Sequence, residues 1–238
     1  MTDKQKIMVI GDTHGDWGFL NNVINKKRPD IVLITGDFGH WPNFHGTYNV
    51  APPGCKRQKW YLWDAIKNHQ CKVYFAHGNH EDLDDLDARE KAGQTEIMPN
   101  VFYMPKGSTL TLPDGRNVLF FGGAESIDKS SRREGYDWFR QEVATYSDLF
   151  RLDAVKCKVD FVVSHTCPRC FTGYDSMLEL NGKWNDPTRA ILDYVMETFR
   201  PKLWYFGHWH CPKKEMVNDC WMTGLNMTRE NQCWCWID

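Results

Sequence analysis

Long hydrophobic runs are missing from this sequence of 238 residues. The first apolar segment, Ile7 to Ile10, has only four residues and ends at Gly11 and Asp12. A secretory signal needs roughly 7–15 apolar residues in a row, and a transmembrane helix needs about 20. We therefore expect a soluble, cytoplasmic protein that has no membrane partner.

An excess of charge of one sign is also missing, since 29 basic residues face 31 acidic residues and the formal net charge is −2. This balance does not favour nucleic acid as the main partner, although it leaves that partner open. Repeats, low-complexity tracts and linker-like stretches are absent as well. With 42% hydrophobic and 25% charged residues, the chain has a globular composition, and we predict a single domain over residues 1–238.

Cysteine and tryptophan are abundant, with nine and eleven residues. In a cytosolic protein, cysteines are mostly reduced core residues and sometimes metal ligands, so a disulfide framework is not expected. Cys167 and Cys170 are spaced as CxxC and, with Cys211, leave a zinc or redox site open. Most tryptophans are expected in the core, but Trp209 lies between two candidate ligands and is expected to approach the site.

Short β-branched apolar runs predict buried strands. These runs are Ile7–Ile10, Ile31–Ile34, Val73–Phe75, Val118–Phe121, Phe161–Val163 and Leu203–Phe206. Helix-like stretches lie at Trp17–Lys27, Lys59–Asn68, Tyr136–Lys156 and Pro187–Phe199. Their early alternation with the strands predicts a parallel sheet, and turn signatures at residues 113–115 and 218–219 predict antiparallel hairpins.

Residues that can ligate a metal follow five of these runs directly. They are Asp12, His14, Asp37, Asn79, His165, His208 and His210. Ligands of α/β sheets bind beyond the carboxyl ends of the strands, so we expect these side chains to converge. Imidazole with carboxylate suits Mn²⁺, Fe²⁺, Zn²⁺ or Ni²⁺. Seven ligands with one shared carboxylate suit two ions roughly 3.5–4 Å apart.

One histidine is left over from this set. His80 stands beside Asn79, and an imidazole with a pKa near neutrality is a natural general acid for a leaving alkoxide. His40 and His45, in the insert that follows Asp37, are expected to be solvated loop residues.

The ordered motifs Asp12-x-His14, Gly36-Asp37, Gly78-Asn79-His80-Glu81, His165 and Gly207-His208-x-His210 resemble the calcineurin-like metallophosphoesterase superfamily. The resemblance spans residues 7 to about 210. It implies an α/β fold, namely a four-layer α/β/β/α sandwich with mixed parallel and antiparallel sheets. It also implies that Asp12, His14, Asp37 and His210 hold one metal, and that Asp37, as the bridge, holds the other with Asn79, His165 and His208.

Two features narrow the branch of that family. The segment that follows Asp37 lacks the Asp and Arg of the second motif of Ser/Thr protein phosphatases, which counts against that branch. The segment Gly122 to Asp128, with Arg132 and Trp138, looks like a stretch in small bacterial and phage-type metallophosphoesterases.

We therefore predict a dinuclear hydrolase of phosphate esters in which a metal-bridging hydroxide attacks a phosphodiester or a small phosphomonoester or nucleotide. Asp37 and His80 are the candidate catalytic residues. Two divalent ions are the predicted cofactors, with Mn²⁺ favoured over Fe, Zn or Ni.

Two alternatives stay open. A nuclease acting on DNA or RNA would need a basic groove, and Lys26, Lys27 and Arg28 would supply one if they joined Arg132 and Arg133 on one face. A non-catalytic metal-binding scaffold of the same fold would lack turnover.

Overall fold

Two mixed sheets stand at the centre of the structure, a computed structural model that describes residues 5–42, 70–180 and 185–237. In chain order, the strands are β1 (Ile7–Ile10), β2 (Ile31–Ile34), β3 (Lys72–Ala76), β4 (Glu96–Met98), β5 (Val101–Met104), β6 (Thr109–Thr111), β7 (Asn117–Phe121), β8 (Phe161–Ser164), β9 (Leu203–Phe206), β10 (Lys213–Val217), β11 (Cys220–Gly224) and β12 (Trp234–Ile237). The first sheet has the order β12-β1-β2-β3-β5-β4, and the second has the order β10-β11-β9-β8-β7-β6.

Each sheet has four parallel strands in its middle and one antiparallel strand at each edge. The α-helices of the described residues are α1 (Trp17–Lys27), α2 (Leu83–Lys91), α3 (Ser147–Asp153), α4 (Asp175–Leu180) and α5 (Pro187–Phe199). None of these helices has the length and apolar character that a membrane crossing requires.

The helices and sheets form four layers, and three hydrophobic clusters hold these layers together. The α1 and α2 helices bury Leu20, Ile24 and Leu86 against the outer face of the first sheet. The inner faces of the two sheets meet in a second cluster, which includes Val9 from β1 and Val163 from β8. A third cluster joins the outer face of the second sheet to α3 and α5. This arrangement confirms the predicted α/β/β/α sandwich with mixed sheets.

The β-branched runs predict the central strands because such strands are buried on both faces and read as continuous apolar segments. The strands Ile7–Ile10, Ile31–Ile34 and Leu203–Phe206 have the predicted bounds, and the other three predicted strands differ by one or two residues. Both hairpins are confirmed. In the second hairpin, Asn218 and Asp219 have positive φ angles, as a type I′ turn requires.

Two of the four predicted helices are confirmed. Trp17–Lys27 and Pro187–Phe199 have the expected bounds, whereas Lys59–Asn68 lies outside the described residues. The prediction of one helix over Tyr136–Lys156 is wrong, because only Ser147–Asp153 is α-helical. Extended backbone at Phe139 and Val143 flanks a 3₁₀ turn and interrupts the helix.

Two kinds of element were not predicted. The α2 helix buries only Leu83 and Leu86 and is otherwise polar, so its amphipathic pattern is weak. The strands β4 and β12 form the two edges of the first sheet, and β5 lies next to β4. All three strands are short, which leaves little periodicity to recognise.

The cap of α5 gives a test of local stability. The Asp186 side chain accepts a hydrogen bond from Thr188 N at 2.8 Å, as expected for an N-cap. We expect Asp186→Ala to lower the free energy of unfolding by about 1 kcal/mol, because the buried N–H loses its acceptor. Asp186→Asn keeps an acceptor and serves as the control in urea denaturation. Equal losses in both variants would contradict the capping role.

Candidate metal centre

The predicted ligands all lie in loops that follow β1, β2, β3, β8 or β9, at the carboxyl ends of the parallel strands. Four of them have left-handed backbone, with φ of 45° at His14 and Asp37, 66° at His208 and 47° at His210. Positive φ outside glycine is uncommon and costs about 1–3 kcal/mol per residue. Strain of this kind clusters at functional sites, where the surroundings hold the residue in place.

Glycines let these loops approach one another closely. Gly36 has a φ of 143°, and a Cβ at this position would collide with the imidazole ring of His165. A Cβ on Gly78 would collide with the side chain and backbone of Asp37. The loops of the two sheets therefore meet at a distance that a larger residue would not permit.

Four donor atoms from Asp12, His14, Asp37 and His210 lie within 4.8 Å of one another. His210 Nε2 lies 2.9 Å from Asp12 Oδ2, and His14 Nε2 lies 3.0 Å from His210 Nε2 and 3.6 Å from Asp37 Oδ2. Ligands about 2.1 Å from one tetrahedral ion lie about 3.4 Å apart, so this set fits a metal ion. We name it the first donor set.

The other predicted ligands form a second donor set around Asn79. Asn79 Oδ1 lies 3.0 Å from His165 Nε2 and 3.1 Å from His208 Nδ1. His165 Nε2 also lies 3.5 Å from Asp37 Oδ1. The structure thus brings all seven residues together, and the two oxygens of Asp37 face different donor sets.

The protonation states of the buried groups suit a metal. Burial opposes ionisation of Asp37, but the imidazoles of His165, His80 and His14 outweigh it and hold its pKa below the usual range. Burial lowers the pKa of His208 to about 3. Burial also opposes the charge of the more exposed His210, but its hydrogen bond to Asp12 outweighs this effect and raises its pKa. Metal ligands must be ionised carboxylates and neutral imidazoles, so the shifts of Asp37 and His208 favour the ligand state at neutral pH, whereas His210 carries a proton that a metal would displace.

A hydrogen-bonded chain orients the amide of Asn79. The Ser126 hydroxyl donates to Glu142 Oε2 at 2.9 Å, so its oxygen accepts from Asn79 Nδ2 at 3.0 Å. Glu142 Oε1 accepts from Ser126 N and from Trp138 Nε1, at 2.8 and 2.7 Å. Because the Asn79 nitrogen is engaged, its Oδ1 faces the two imidazoles. No pattern in the sequence indicates this role of Glu142, because Glu142 lies 63 residues beyond Asn79 in the chain.

Glu81 holds two of the loops together. Its carboxyl group accepts from Gly39 N at 3.1 Å and from Gly78 N at 2.7 Å, which ties the loop after β2 to the loop after β3. Glu81 is fully buried, and burial raises its pKa well above the ordinary value. Glu81 belongs to the sequence motif Gly78-Asn79-His80-Glu81, but the sequence alone did not assign it a role.

His80 differs from the expectation of a near-neutral pKa. Burial lowers its pKa to about 4. Arg132 Nη2 lies 3.0 Å from His80 Nε2, and Arg132 Nη1 donates to Asn79 O at 3.1 Å. The Nε atom of the same guanidinium is paired with Asp128 Oδ1 at 2.8 Å. Arg132 is therefore a neighbour of His80 and of the second donor set, whereas Arg133 lies over the Tyr136 ring.

Both donor sets open into a cleft of about 420 Å³, a volume in the range of small-molecule sites. His14, Asp37, Asn79, His80, His208 and His210 line it together with Arg132 and Asp128. Met227 and Thr228 complete the wall from the loop between β11 and β12. Thr228 N donates to Asp12 O at 2.9 Å, which anchors that loop beside the first donor set.

Of the other residues singled out in the sequence, Trp209 approaches the site as expected, since its ring contacts that of His208 with centroids 5.7 Å apart. Trp209 also stacks on Tyr174, with ring centroids 4.7 Å apart, and does not line the cleft. His40 is buried and lies 2.7 Å from Asp85 Oδ2, so it is not a solvated loop residue. His45 lies outside the described residues.

The cysteines that the structure describes form no second centre. The cysteines of the described residues are free thiols, and within those ranges no cysteine belongs to a donor cluster like that of Asp12. Burial raises the pKa of Cys167 to about 12. A thiol of this kind is an inert core group at neutral pH.

The structure thus places imidazoles and carboxylates from two stacked mixed sheets together at the carboxyl ends of the parallel strands. Residues 5–212 match the family described as calcineurin-like phosphoesterase, and the chain belongs to that family. The resemblance inferred from the motifs is thereby confirmed.

Relatives of known name are distant. The lariat debranching enzyme of Schizosaccharomyces pombe is 23% identical over 223 residues, which cover 86% of this chain and 48% of that enzyme. The chain thus spans about half the length of this curated relative.

Two solved structures share the fold at low identity. The phosphopantetheinyl hydrolase of Mycobacterium tuberculosis has a TM-score of 0.52 and 13% identity, and the match covers 100% of this chain and 97% of that chain. A putative 5′-nucleotidase of Staphylococcus aureus has a TM-score of 0.55 and 15% identity, over 93% of this chain and 48% of that chain.

Two substitutions test the hydrogen bonds that orient the Asn79 side chain. In Ser126→Ala the amide loses its acceptor, and in Glu142→Gln the new amide can donate to Ser126 and allow Asn79 to flip. We expect each variant to bind added Mn²⁺ about 10–100-fold less tightly, as for other outer-shell partners of metal ligands. Isothermal titration calorimetry measures the affinity.

Ser131→Ala provides the matched control, since the Ser131 hydroxyl donates to Asp128 O on the exposed side of the same segment. Metal titrations of Ser126→Ala and Ser131→Ala that agree with the wild type would show that the amide needs no such support.

Proposed function

We propose that this chain hydrolyses phosphoric esters at the cleft with two divalent metal ions. The observation that carries the proposal is the position of Asp37, whose Oδ2 faces the first donor set and whose Oδ1 faces the second. We propose Asp12, His14 and His210 as the remaining ligands of one ion, and Asn79, His165 and His208 as those of the other. Mn²⁺ is the favoured metal, with Fe, Zn or Ni as alternatives.

Two ions held in this way would supply an activated water and offset negative charge on the phosphate oxygens. The protein supplies orientation. Asp37 Oδ1 accepts from His80 N at 2.8 Å, so the bridging carboxylate and the histidine next to the cleft are fixed relative to each other. Because the ligands come from residues 12 to 210, we also propose that the chain acts as a single domain.

His80 and Arg132 are proposed to act on the leaving group. With its pKa lowered to about 4, His80 is a neutral imidazole at pH 7. The contact of Arg132 Nη2 with His80 Nε2 uses that nitrogen as an acceptor, so the ring carries its proton on Nδ1. We propose that His80 donates a hydrogen bond from this N–H to the leaving oxygen, without transfer of the proton, and that Arg132 fixes the tautomer.

A phosphodiester or a small nucleotide is the proposed substrate. The segment after Asp37 lacks the phosphate-binding Arg of the protein-phosphatase motif, and the cleft volume suits a small ligand. The names of the relatives, a debranching enzyme, a nucleotidase and a phosphopantetheinyl hydrolase, favour the same range of substrates.

Lys26, Lys27 and Arg28 do not join Arg132 in the lining of the cleft. They lie at the C-terminal end of α1, the helix whose N-cap Asp16 lines the cleft. A basic face of these residues therefore does not support the nuclease alternative.

Hydrolysis of a chromogenic phosphodiester and phosphomonoester under Mn²⁺, Zn²⁺, Ni²⁺ or Mg²⁺ tests the proposal. We expect metal-dependent turnover of at least one substrate. In Asp37→Asn we expect turnover to fall at least about 100-fold while circular dichroism shows an intact fold, because the bridge loses its charge. Asp219→Asn, in an exposed turn that suits Asn, is the control.

If Asp37→Asn retained its Mn²⁺-dependent activity, the two-ion proposal would be wrong. Hydrolysis of neither substrate by the wild-type protein would favour the scaffold alternative instead.

His80→Ala separates catalysis from metal binding. We expect kcat to fall by about 10²–10³-fold, the usual cost of removing one hydrogen-bond donor that stabilises developing negative charge. The metal content, measured by elemental analysis after gel filtration, should equal that of the wild type. Loss of one metal equivalent in this variant would move His80 from the leaving group to the ligand shell.

A further inference from the structure

A second concave surface lies at the edge where β10 and β11 of one sheet stand beside β12 of the other. It is a groove of about 360 Å³. Its aromatic and basic lining consists of Tyr205, Trp221, Trp234, Trp236, Lys213 and Lys214. We name it the tryptophan groove. It takes up part of the tryptophan excess that the metal centre does not use.

The rings are exposed because strand alternation leaves them without a covering layer. On β11, Cys220 and Met222 are buried, whereas Trp221 points to the other face and is 44% exposed. β12 is the edge strand of the first sheet and β10 that of the second, so no further strand covers this corner in the described part of the chain. Met216 and Trp236 are exposed beside it.

Two lysines lie beside these rings. Lys214 Nζ lies 5.4 Å from the centroid of the Trp221 ring, and Lys27 Nζ lies 5.1 Å from that of Trp234. Among the described residues that line the groove, none is Asp or Glu. In a chain with a net charge of −2, this is a local positive surface on an aromatic floor. It is complementary to a ligand that combines flat rings with negative charge.

We propose that the tryptophan groove binds a single-stranded nucleic acid. Bases stack on exposed aromatic rings in a sequence-tolerant way, and lysines contact the phosphates. This inference deepens the proposed function, on which it rests, because it names a nucleic-acid strand as the class of phosphodiester that reaches the cleft.

The groove and the cleft share one loop. Gly224, Leu225 and Gln232 line the end of the groove, and the same loop carries Met227 and Thr228 into the wall of the cleft. A strand held along the groove is thereby led toward the metal centre. The segment that builds the groove lies mostly beyond residue 212, where the family match ends.

A second copy of the chain is a poorer occupant. A two-fold interface brings the same patch from both copies together, so Lys214 would face the lysines of the other copy without a carboxylate from the lining. A neutral glycan could stack on the rings but would gain nothing from the lysines.

Fluorescence anisotropy with a labelled 12-nucleotide single strand, measured without metal at low salt, tests the proposal. We expect Trp221→Ala and Lys214→Glu each to weaken binding by about tenfold or more, since stacking of one base accounts for such a factor. Affinity should also fall as salt rises. Tyr146→Ala, at an exposed aromatic residue outside the groove, should bind like the wild type.

Two results would overturn the inference. One is wild-type protein that does not bind the strand, or binding that both groove variants leave unchanged. The other is a concentration-dependent dimer that Trp221→Ala dissociates, which would assign the groove to a second copy.

Hydrolysis of the small chromogenic diester keeps this test separate from the proposed function. We expect it to be unchanged in Trp221→Ala and Lys214→Glu. Strand binding by a wild-type protein that hydrolyses no ester would refute the proposed function but not the groove. Hydrolysis of the diester by a wild-type protein that does not bind the strand would refute the groove proposal but not the proposed function.

Discussion

A carboxylate that is almost completely withdrawn from solvent must be compensated from several sides, and in this protein Asp37 is compensated by groups from three other loops. His80 N donates to its Oδ1, while His165 and His14 lie 3.5 and 3.6 Å from its two oxygens. Its carbonyl oxygen accepts from Thr13 N and His14 N, at 3.1 and 2.6 Å. Removing one partner of a buried charge is costly, so the loops of both sheets depend on this residue.

The rest of the fold places these loops where Asp37 needs them. The apolar cluster between the sheets fixes the distance between β1 and β8, and the parallel strands deliver their polar ends to one edge. Backbone strain at His14, Asp37, His208 and His210 is the local consequence. Hydrophobic packing along the strands stabilises the sandwich, and this lets the edge hold strained loops and buried charges that would not persist alone.

Much of this could be read from the sequence because the signals are local. A buried parallel strand is a continuous apolar run, so the six central strands that carry such runs were predicted. Each candidate donor follows one of these runs within four residues, and the structure brings the seven candidates together. The environment of His80 could not be predicted, since Arg132 lies 52 residues away in sequence. The buried acceptor Glu142 lies inside the stretch taken as a helix, and its bonds to Ser126 and Trp138 coincide with the break in that helix. Helical periodicity is a weak guide where a residue is held by tertiary contacts.

The C-terminal segment shows where specificity is separable from chemistry in this fold. The residues that face the centre of the cleft lie between Asp12 and His210, inside the family match. From Lys213 onward, the chain adds two strands to the second sheet and one to the first, and the loop between them is anchored to Asp12 O. Changes in that segment can reshape the approach to the cleft without altering the donor sets, because β10, β11 and β12 carry none of the seven donors. The same strands expose Trp221 and Trp236, so part of the tryptophan excess, which composition alone left unexplained, belongs to the segment beyond the family match.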